Sequence, residues 1–308
     1  MKIAFVFPGQ GSQYVGMGKD ICENFPVAED VFKQASEALG IDVAGLCFNG
    51  PAEELNKTFR TQPCILTVST ALFTVLSGKG ISPAVVAGHS LGEYSALVAA
   101  GVLTLKDAVR LTGKRGQFMQ EAVPEGKGLM AAVLGLEREK VNEICGSLQS
   151  GYASPANYNC PGQIVIAGEK NAVEEAIALC KNAGAKRAVP LSVSVPSHCK
   201  LMSDASGRLA EFLGTIEFKN PKVPIVNNAD AKFLNTTEEI KSSLVRQLNN
   251  PLLWEDSVKA IADSGVDTFI EVGPGKVLSG LIKRIVPDVK ILNAEDKKSL
   301  ENTLSVLL

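Results

Sequence analysis

The sequence predicts an α/β fold with a mostly parallel sheet, carrying an inserted ferredoxin-like βαββαβ subdomain. Two short runs, Ile3–Phe7 and Ala84–Ala87, are apolar without alternation, as strands are when helices cover both faces. On both flanks of the chain, helix-period segments alternate with such strands, the rhythm of a parallel sheet. Between the flanks, from Met130 to Leu191, the order becomes strand, helix, strand, strand, helix, strand.

In chain order, the strand at 3–7 ends at Pro8-Gly9 and enters a glycine-rich loop that reaches Gly18. Helical patterns follow at 20–39 and, around Pro63, at 62–78. The strand at 84–87 stops at Gly88, a helix occupies 90–100, and another runs through 106–121. The inserted unit reads as strand 130–134, helix 137–149, strands 154–159 and 163–168, helix 170–183 and strand 187–191. Helix 198–213, strand 223–227, helices 236–249 and 252–264, strand 268–272, helix 275–286 and a strand at 290–293 return to the first rhythm. Residues 1–124 and 196–308 are thus expected to form the core, and 125–195 the small subdomain.

Composition narrows the function classes. The 308 residues carry 31 basic and 33 acidic side chains, a net charge of −2 that points to no nucleic acid. The first apolar run is too short for a signal peptide, which needs roughly 7–15 apolar residues. No stretch approaches the ~20 apolar residues of a membrane span. A soluble, cytoplasmic protein is expected. Seven scattered cysteines without a Cys-x-x-Cys pair, and only two histidines, are poor material for a zinc site or a disulfide framework. Cys199, beside His198, is an alternative nucleophile to be considered.

The most informative segment is Gly88-His89-Ser90-Leu91-Gly92-Glu93. It fits G-x-S-x-G between a buried strand and a helix, the nucleophile-elbow context, so the core is expected to be α/β-hydrolase-like. Small residues at 88 and 92 let strand and helix approach closely. The turn lifts the Ser90 hydroxyl at a helix N-terminus, where free N–H groups, that of Leu91 among them, favour a developing oxyanion. The same serine also suits a plain helix N-cap, and the spacing leaves both roles open.

A serine nucleophile needs a base. His89 is adjacent, and successive side chains in such a turn diverge. By elimination the partner is His198, where the inserted unit returns to the core. A purely structural histidine is the competing reading. No carboxylate after Ser90 stands out as a third triad member, and a backbone carbonyl could orient the imidazole equally well.

These residues carry a family resemblance. Phe7-Pro8-Gly9-Gln10-Gly11-Ser12-Gln13, the elbow, Val195-Pro196-Ser197-His198 and Glu271-Val272-Gly273-Pro274-Gly275 occur in matching order. Together they resemble the malonyl-CoA:acyl carrier protein transacylases of dissociated bacterial fatty acid synthesis, over essentially the whole chain. The resemblance implies a Ser90–His198 dyad and an oxyanion hole from the backbone N–H groups of Gln10 and Leu91. It implies that Arg115 grips the malonyl carboxylate, a match for the planar guanidinium fork. Arg110, elsewhere on the same helix, is the less suited arginine. The main-chain carbonyl of Gln247 is implied as the support of the histidine, with a replaceable side chain. Gln62 and Met119 are implied in the acyl pocket, and Ser197 beside the histidine agrees with the stand-alone bacterial form. Trp254 reads as core.

The implied partners are malonyl-CoA and acyl carrier protein, with no metal or redox cofactor, and the chain is expected to be a monomer. Since the carrier is acidic, basic Lys186 and Arg187 on the insert and Lys283 and Arg284 on the late helix are candidates for its docking. A serine hydrolase or thioesterase, sharing the elbow but with a triad carboxylate and no arginine clamp, is the alternative. A carrier-binding scaffold without chemistry would need no intact dyad.

Overall fold

A computed structural model describes residues 1–124, 126–191 and 195–308. Its core strand β1 (Ile3–Phe7) shows why the apolar runs carry no alternation. Ile3, Phe5 and Phe7 enter one hydrophobic cluster and Ala4 and Val6 enter another on the opposite face. Each fully buried large apolar side chain contributes about 1.5–3 kcal/mol relative to exposure.

The chain before the insert then forms helices α1 (Lys19–Asn24), α2 (Pro26–Leu39), α3 (Val43–Asn49), α4 (Ala52–Leu55) and α5 (Thr58–Gly78). Strand β2 (Val85–Gly88), helix α6 (Gly92–Ala99) and helix α7 (Leu105–Ala122) follow. The single helix expected over 20–39 is two, parted at Phe25–Pro26, because proline is suited to a first helical position and poorly to an interior one. Conversely, α5 begins upstream of Pro63 and holds it inside the helix. There Thr58, Thr61 and Gln62 are buried, so tertiary packing outweighs the local preference.

The middle of the chain gives β3 (Gly128–Leu134), α8 (Arg138–Gly146), β4 (Ala153–Cys160), β5 (Gln163–Glu169), α9 (Lys170–Asn182) and β6 (Arg187–Pro190). They form an antiparallel sheet in the order β4-β5-β3-β6. Its period-two pattern sorts two faces. Ala131, Val133, Ile164 and Ile166 pack under α8 and α9, whereas Met130, Val165 and Ala167 pack with Cys199. The sheet is tied to the rest by Tyr158, whose N–H donates to Leu252 O at 2.9 Å, and by Leu252 N–H to Ala156 O at 2.8 Å. Of the expected boundaries of the insert, Glu125 lies outside the described residues, whereas Val195 is described and packs in the core's hydrophobic cluster.

After a 3-10 turn at Lys200–Met202 come α10 (Ser203–Leu213), β7 (Ile225–Val226), β8 (Phe233–Leu234), α11 (Thr237–Asn249), α12 (Trp254–Asp263), β9 (Thr268–Val272), α13 (Val277–Ile285), β10 (Lys290–Ala294) and α14 (Lys297–Leu307). The large sheet runs β10-β9-β1-β2-β7-β8, parallel except at the β7–β8 edge. β1 pairs with β2 and β9, so the loops after these three strands emerge together at their carboxyl ends. That is where open α/β sheets hold ligands. Among the described residues, no helix is long and apolar enough to cross a membrane.

Candidate active site

The elbow's glycines are required by contact. A Cβ on Gly88 would lie 1.9 Å from the Gly92 carbonyl carbon, and one on Gly92 would lie 1.9 Å from Phe7 O. Between them Ser90 takes φ 52°, a left-handed conformation that costs a non-glycine residue about 1–3 kcal/mol and persists only where neighbours hold it. Side chains from afar supply that hold. Ser90 N–H donates to Asn228 Oδ1 at 2.7 Å, and Ser90 O accepts from Gln247 Nε2 at 3.0 Å.

His198, also at positive φ (60°), meets the hydroxyl: Ser90 Oγ and His198 Nε2 are 2.8 Å apart. The other ring nitrogen, Nδ1, is 2.7 Å from Gln247 O. A carbonyl only accepts, so Nδ1 carries the proton and Nε2 presents its lone pair to Ser90. Burial and then the Arg115 charge push the imidazole down to about 3, against the support of the Gln247 carbonyl. At neutral pH the ring is therefore uncharged and able to accept a proton.

Arg115, on α7, is 1% exposed, and no ion pair among the described residues includes it. Its Nη1 donates to Gln62 Oε1 at 2.8 Å, and its Nη2 to Gln247 Oε1 at 2.9 Å and to Ser90 Oγ at 3.2 Å. Its Nε has no hydrogen-bond partner among the described residues, and the guanidinium lies 5.3 Å from the Tyr94 ring centroid. Burial lowers its pKa, while Tyr94 and Glu93 oppose that shift. A buried cation held by neutral acceptors leaves a place for an anion.

These groups surround a cleft of about 240 Å³ between the two sheets. Gln10, Arg115, Met119, Ser197 and the dyad line it from the core, and Met130, Asn157 and Asn159 from the insert. Gln10 turns its side chain to Thr58 Oγ1 at 3.2 Å. Gly9 beneath it sits so close to the elbow that a Cβ would lie 2.4 Å from His89 O. Leu91, next in the chain after Ser90, is fully buried. Neither Gln10 N–H nor Leu91 N–H is hydrogen-bonded to another described residue.

Other expected residues fall differently. Gln62 is fully buried behind the guanidinium and is absent from the cleft wall. Its Nε2 reaches Met119 Sδ at 3.3 Å, so it acts on the pocket through Arg115 and Met119. The Gln247 side chain, expected to be replaceable, is fully buried and makes its own bonds to Arg115, Ser90 and Glu93. His89 points away, with Nε2 2.9 Å from Asn159 Oδ1 and its ring edge-on to Trp254. Arg110 is exposed and donates to Ala38 O at 3.2 Å. The Cys199 thiol is buried, donates to Pro196 O, and is pushed up to about 11, unsuited to thiolate chemistry. Lys186, Arg187, Lys283 and Arg284 are all exposed. Arg284 bridges the cleft's rim to the insert, donating to Gln163 Oε1 at 2.7 Å and Pro161 O at 2.8 Å.

Sequence reasoning did not find Asn228 or Glu93 as site residues. The signals were present: Asn227-Asn228 is a polar pair at the end of a core strand, and Glu93 stands in the first turn after the elbow.

The family model described as "Acyl transferase domain" matches residues 4–299. The malonyl CoA-acyl carrier protein transacylase of Escherichia coli K12 is 56% identical over 287 residues, covering 92% of this chain and 93% of that one. The Bacillus subtilis 168 transacylase is 46% identical over 308 residues, covering 99% and 97%. A malonyl-transacylase solved in complex with a type II PKS acyl-carrier protein superposes with a TM-score of 0.97 at 51% identity, covering 99% and 100%. An acyl carrier protein S-malonyltransferase from Vibrio cholerae superposes at 0.96 with 50% identity, covering 98% and 100%. With an elbow serine against a neutral imidazole, a buried unpaired arginine beside it, and this likeness along its length, the chain belongs to the acyltransferase family, among the malonyl CoA-acyl carrier protein transacylases.

Proposed function

We infer that the protein transfers a malonyl group from malonyl-CoA to the phosphopantetheine thiol of acyl carrier protein through an acyl-Ser90, supplying fatty acid elongation. The observation that carries this reading is Arg115, a buried guanidinium without a carboxylate partner among the described residues that reaches the Ser90 hydroxyl at 3.2 Å. A malonyl thioester brings the missing carboxylate to the place where its carbonyl meets the nucleophile.

In the first half-reaction His198 Nε2 takes the Ser90 proton as Oγ attacks the thioester carbonyl carbon. The N–H groups of Gln10 and Leu91 receive the oxyanion. The carbon–sulfur bond breaks, and coenzyme A leaves as a thiol with the proton from His198. In the second half the carrier thiol gives its proton to His198 and attacks the acyl-serine. The serine ester bond breaks and Ser90 recovers the proton. Ser197 and Met119 shape the acyl pocket, and Gln62 steadies the clamp. Each half exchanges one thioester or ester for another, so the chain's own groups suffice and only water must be excluded.

The cytoplasm, where coenzyme A thioesters and carrier proteins are made, fits this role. The proposed division into 1–124 with 196–308 and 125–195 is supported by the cleft, which residues of both stretches line. The carrier is proposed to approach over that cleft, with exposed Lys283 and Arg284 on the core and exposed Lys186 and Arg187 on the insert as its docking candidates. A hydrolase has less support, because the imidazole is oriented by a carbonyl rather than a carboxylate and the cleft holds a cation.

The test is direct. With malonyl-CoA and holo acyl carrier protein, malonyl-carrier should form in step with free coenzyme A, with little free malonate. Malonate release at a rate indifferent to the carrier would overturn transfer in favour of hydrolysis.

A further inference from the structure

We propose that Glu93 is a positioning residue for the transfer, aligning the nucleophile and the acyl-gripping arginine through Gln247 and Asn228. Glu93 is 1% exposed and makes no ion pair among the described residues. A single carboxylate oxygen, Oε2, accepts from Asn228 N–H at 3.0 Å and from Gln247 Nε2 at 2.9 Å.

Those two donor residues hold opposite sides of the strained serine. Asn228 Oδ1 accepts from Ser90 N–H, and Asn228 Nδ2 donates to Gly88 O at 2.8 Å. Gln247 Nε2 donates its second hydrogen to Ser90 O, and its Oε1 accepts from Arg115. The main-chain carbonyl of the same Gln247 fixes the His198 tautomer. Both amides have their orientation set. If Gln247 were flipped, its oxygen would face the Glu93 carboxylate and its NH₂ would face the guanidinium. One buried oxygen therefore locks the amide that aims Arg115 and the backbone that presents Ser90. A carboxyl in this place, raised by burial to about 7, is worth its desolvation only if those donors need an acceptor.

The proposal rests on the transfer reading above, and the two fail separately: a parent protein that never forms malonyl-Ser90 sinks that reading, not the positioning claim alone. Glu93→Met fills the space without an acceptor. Its acylation rate per folded molecule should fall about 10²-fold, the scale of a small misplacement of reacting groups. Its preference for malonyl over acetyl should fall about tenfold, which a merely structural role would not produce. Glu93→Gln offers one carbonyl oxygen to both donors and should recover most of that loss. Should Glu93→Met fail to fold, Gln247→Met, which keeps the carbonyl under His198, should show the same loss of preference. Combined with Glu93→Gln it should lose no more.

Urea unfolding adds a readout of the carboxyl itself. Burial raises it from 4.5 to about 7, with Arg115 opposing and Asp230 adding to the shift. The parent's stability relative to Glu93→Gln should be greatest below pH 4.5 and decline as pH rises through about 7. A fully selective Glu93→Met enzyme, a Glu93→Gln enzyme as slow as Glu93→Met, or superimposable pH profiles would each overturn the proposal.

Discussion

Ser90→Ala is expected to lower malonyl transfer by at least ~10⁴-fold, with no acyl-enzyme formed. The substitution removes one oxygen that receives the Arg115 Nη2 hydrogen and gives its own to His198 Nε2. Nothing else in the cleft replaces it: the Cys199 thiol is buried, donates to Pro196 O and is pushed up to about 11. The fold should survive, because the Ser90 backbone bonds to Asn228 and Gln247 do not involve the hydroxyl. Steady-state transfer to carrier, checked against an unchanged circular dichroism spectrum, measures the effect. Retention of more than about 1% of the parent rate would move the nucleophile elsewhere.

Arg115→Ala should separate the two acyl groups. Breaking a buried charge pair costs about 3–5 kcal/mol, so malonyl transfer should fall ~10²–10⁴-fold. Acetyl transfer should change by less than about tenfold, since an acetyl group has no carboxylate to lose and His198 gains basicity without the neighbouring cation. The ratio of kcat/KM for the two donors is the readout, because a general loss of folding or alignment lowers both together. Equal losses would remove the clamp from Arg115.

Much of the fold was legible because burial writes itself into composition. β1 and β2 are continuous apolar runs since both faces of the sheet are covered, and the insert's Met130–Leu134 and Ile164–Ala167 are too, since each of its faces meets an apolar cluster. The short α3 and α4 were not legible. At seven and four residues they are too brief for a helical period to stand out. The closing α14 is mostly polar, and its start is marked by the Asp296–Ser299 capping box rather than by an apolar stripe.

The elbow was legible because strain demands particular glycines at fixed spacing, and His198 because the chain has only one other histidine. The supporting side chains were not, although the Gln247 carbonyl under His198 was named from the resemblance. Glu93, Asn228 and Gln247 are ordinary polar residues up to 154 positions apart, and only the folded chain brings their hydrogen bonds together. The Gln247 side chain in particular gives no local sign that it joins Arg115 to a carboxylate.

The central claim, that the acyl group rests on Ser90 between donor and acceptor, is tested most directly by rapid quench without carrier protein. Mixing the enzyme with malonyl-CoA should release a burst of coenzyme A of one equivalent per active site, and peptide mapping should find the malonyl group on Ser90. Release of coenzyme A only once carrier is added, with Ser90 unmodified at every time point, would contradict it.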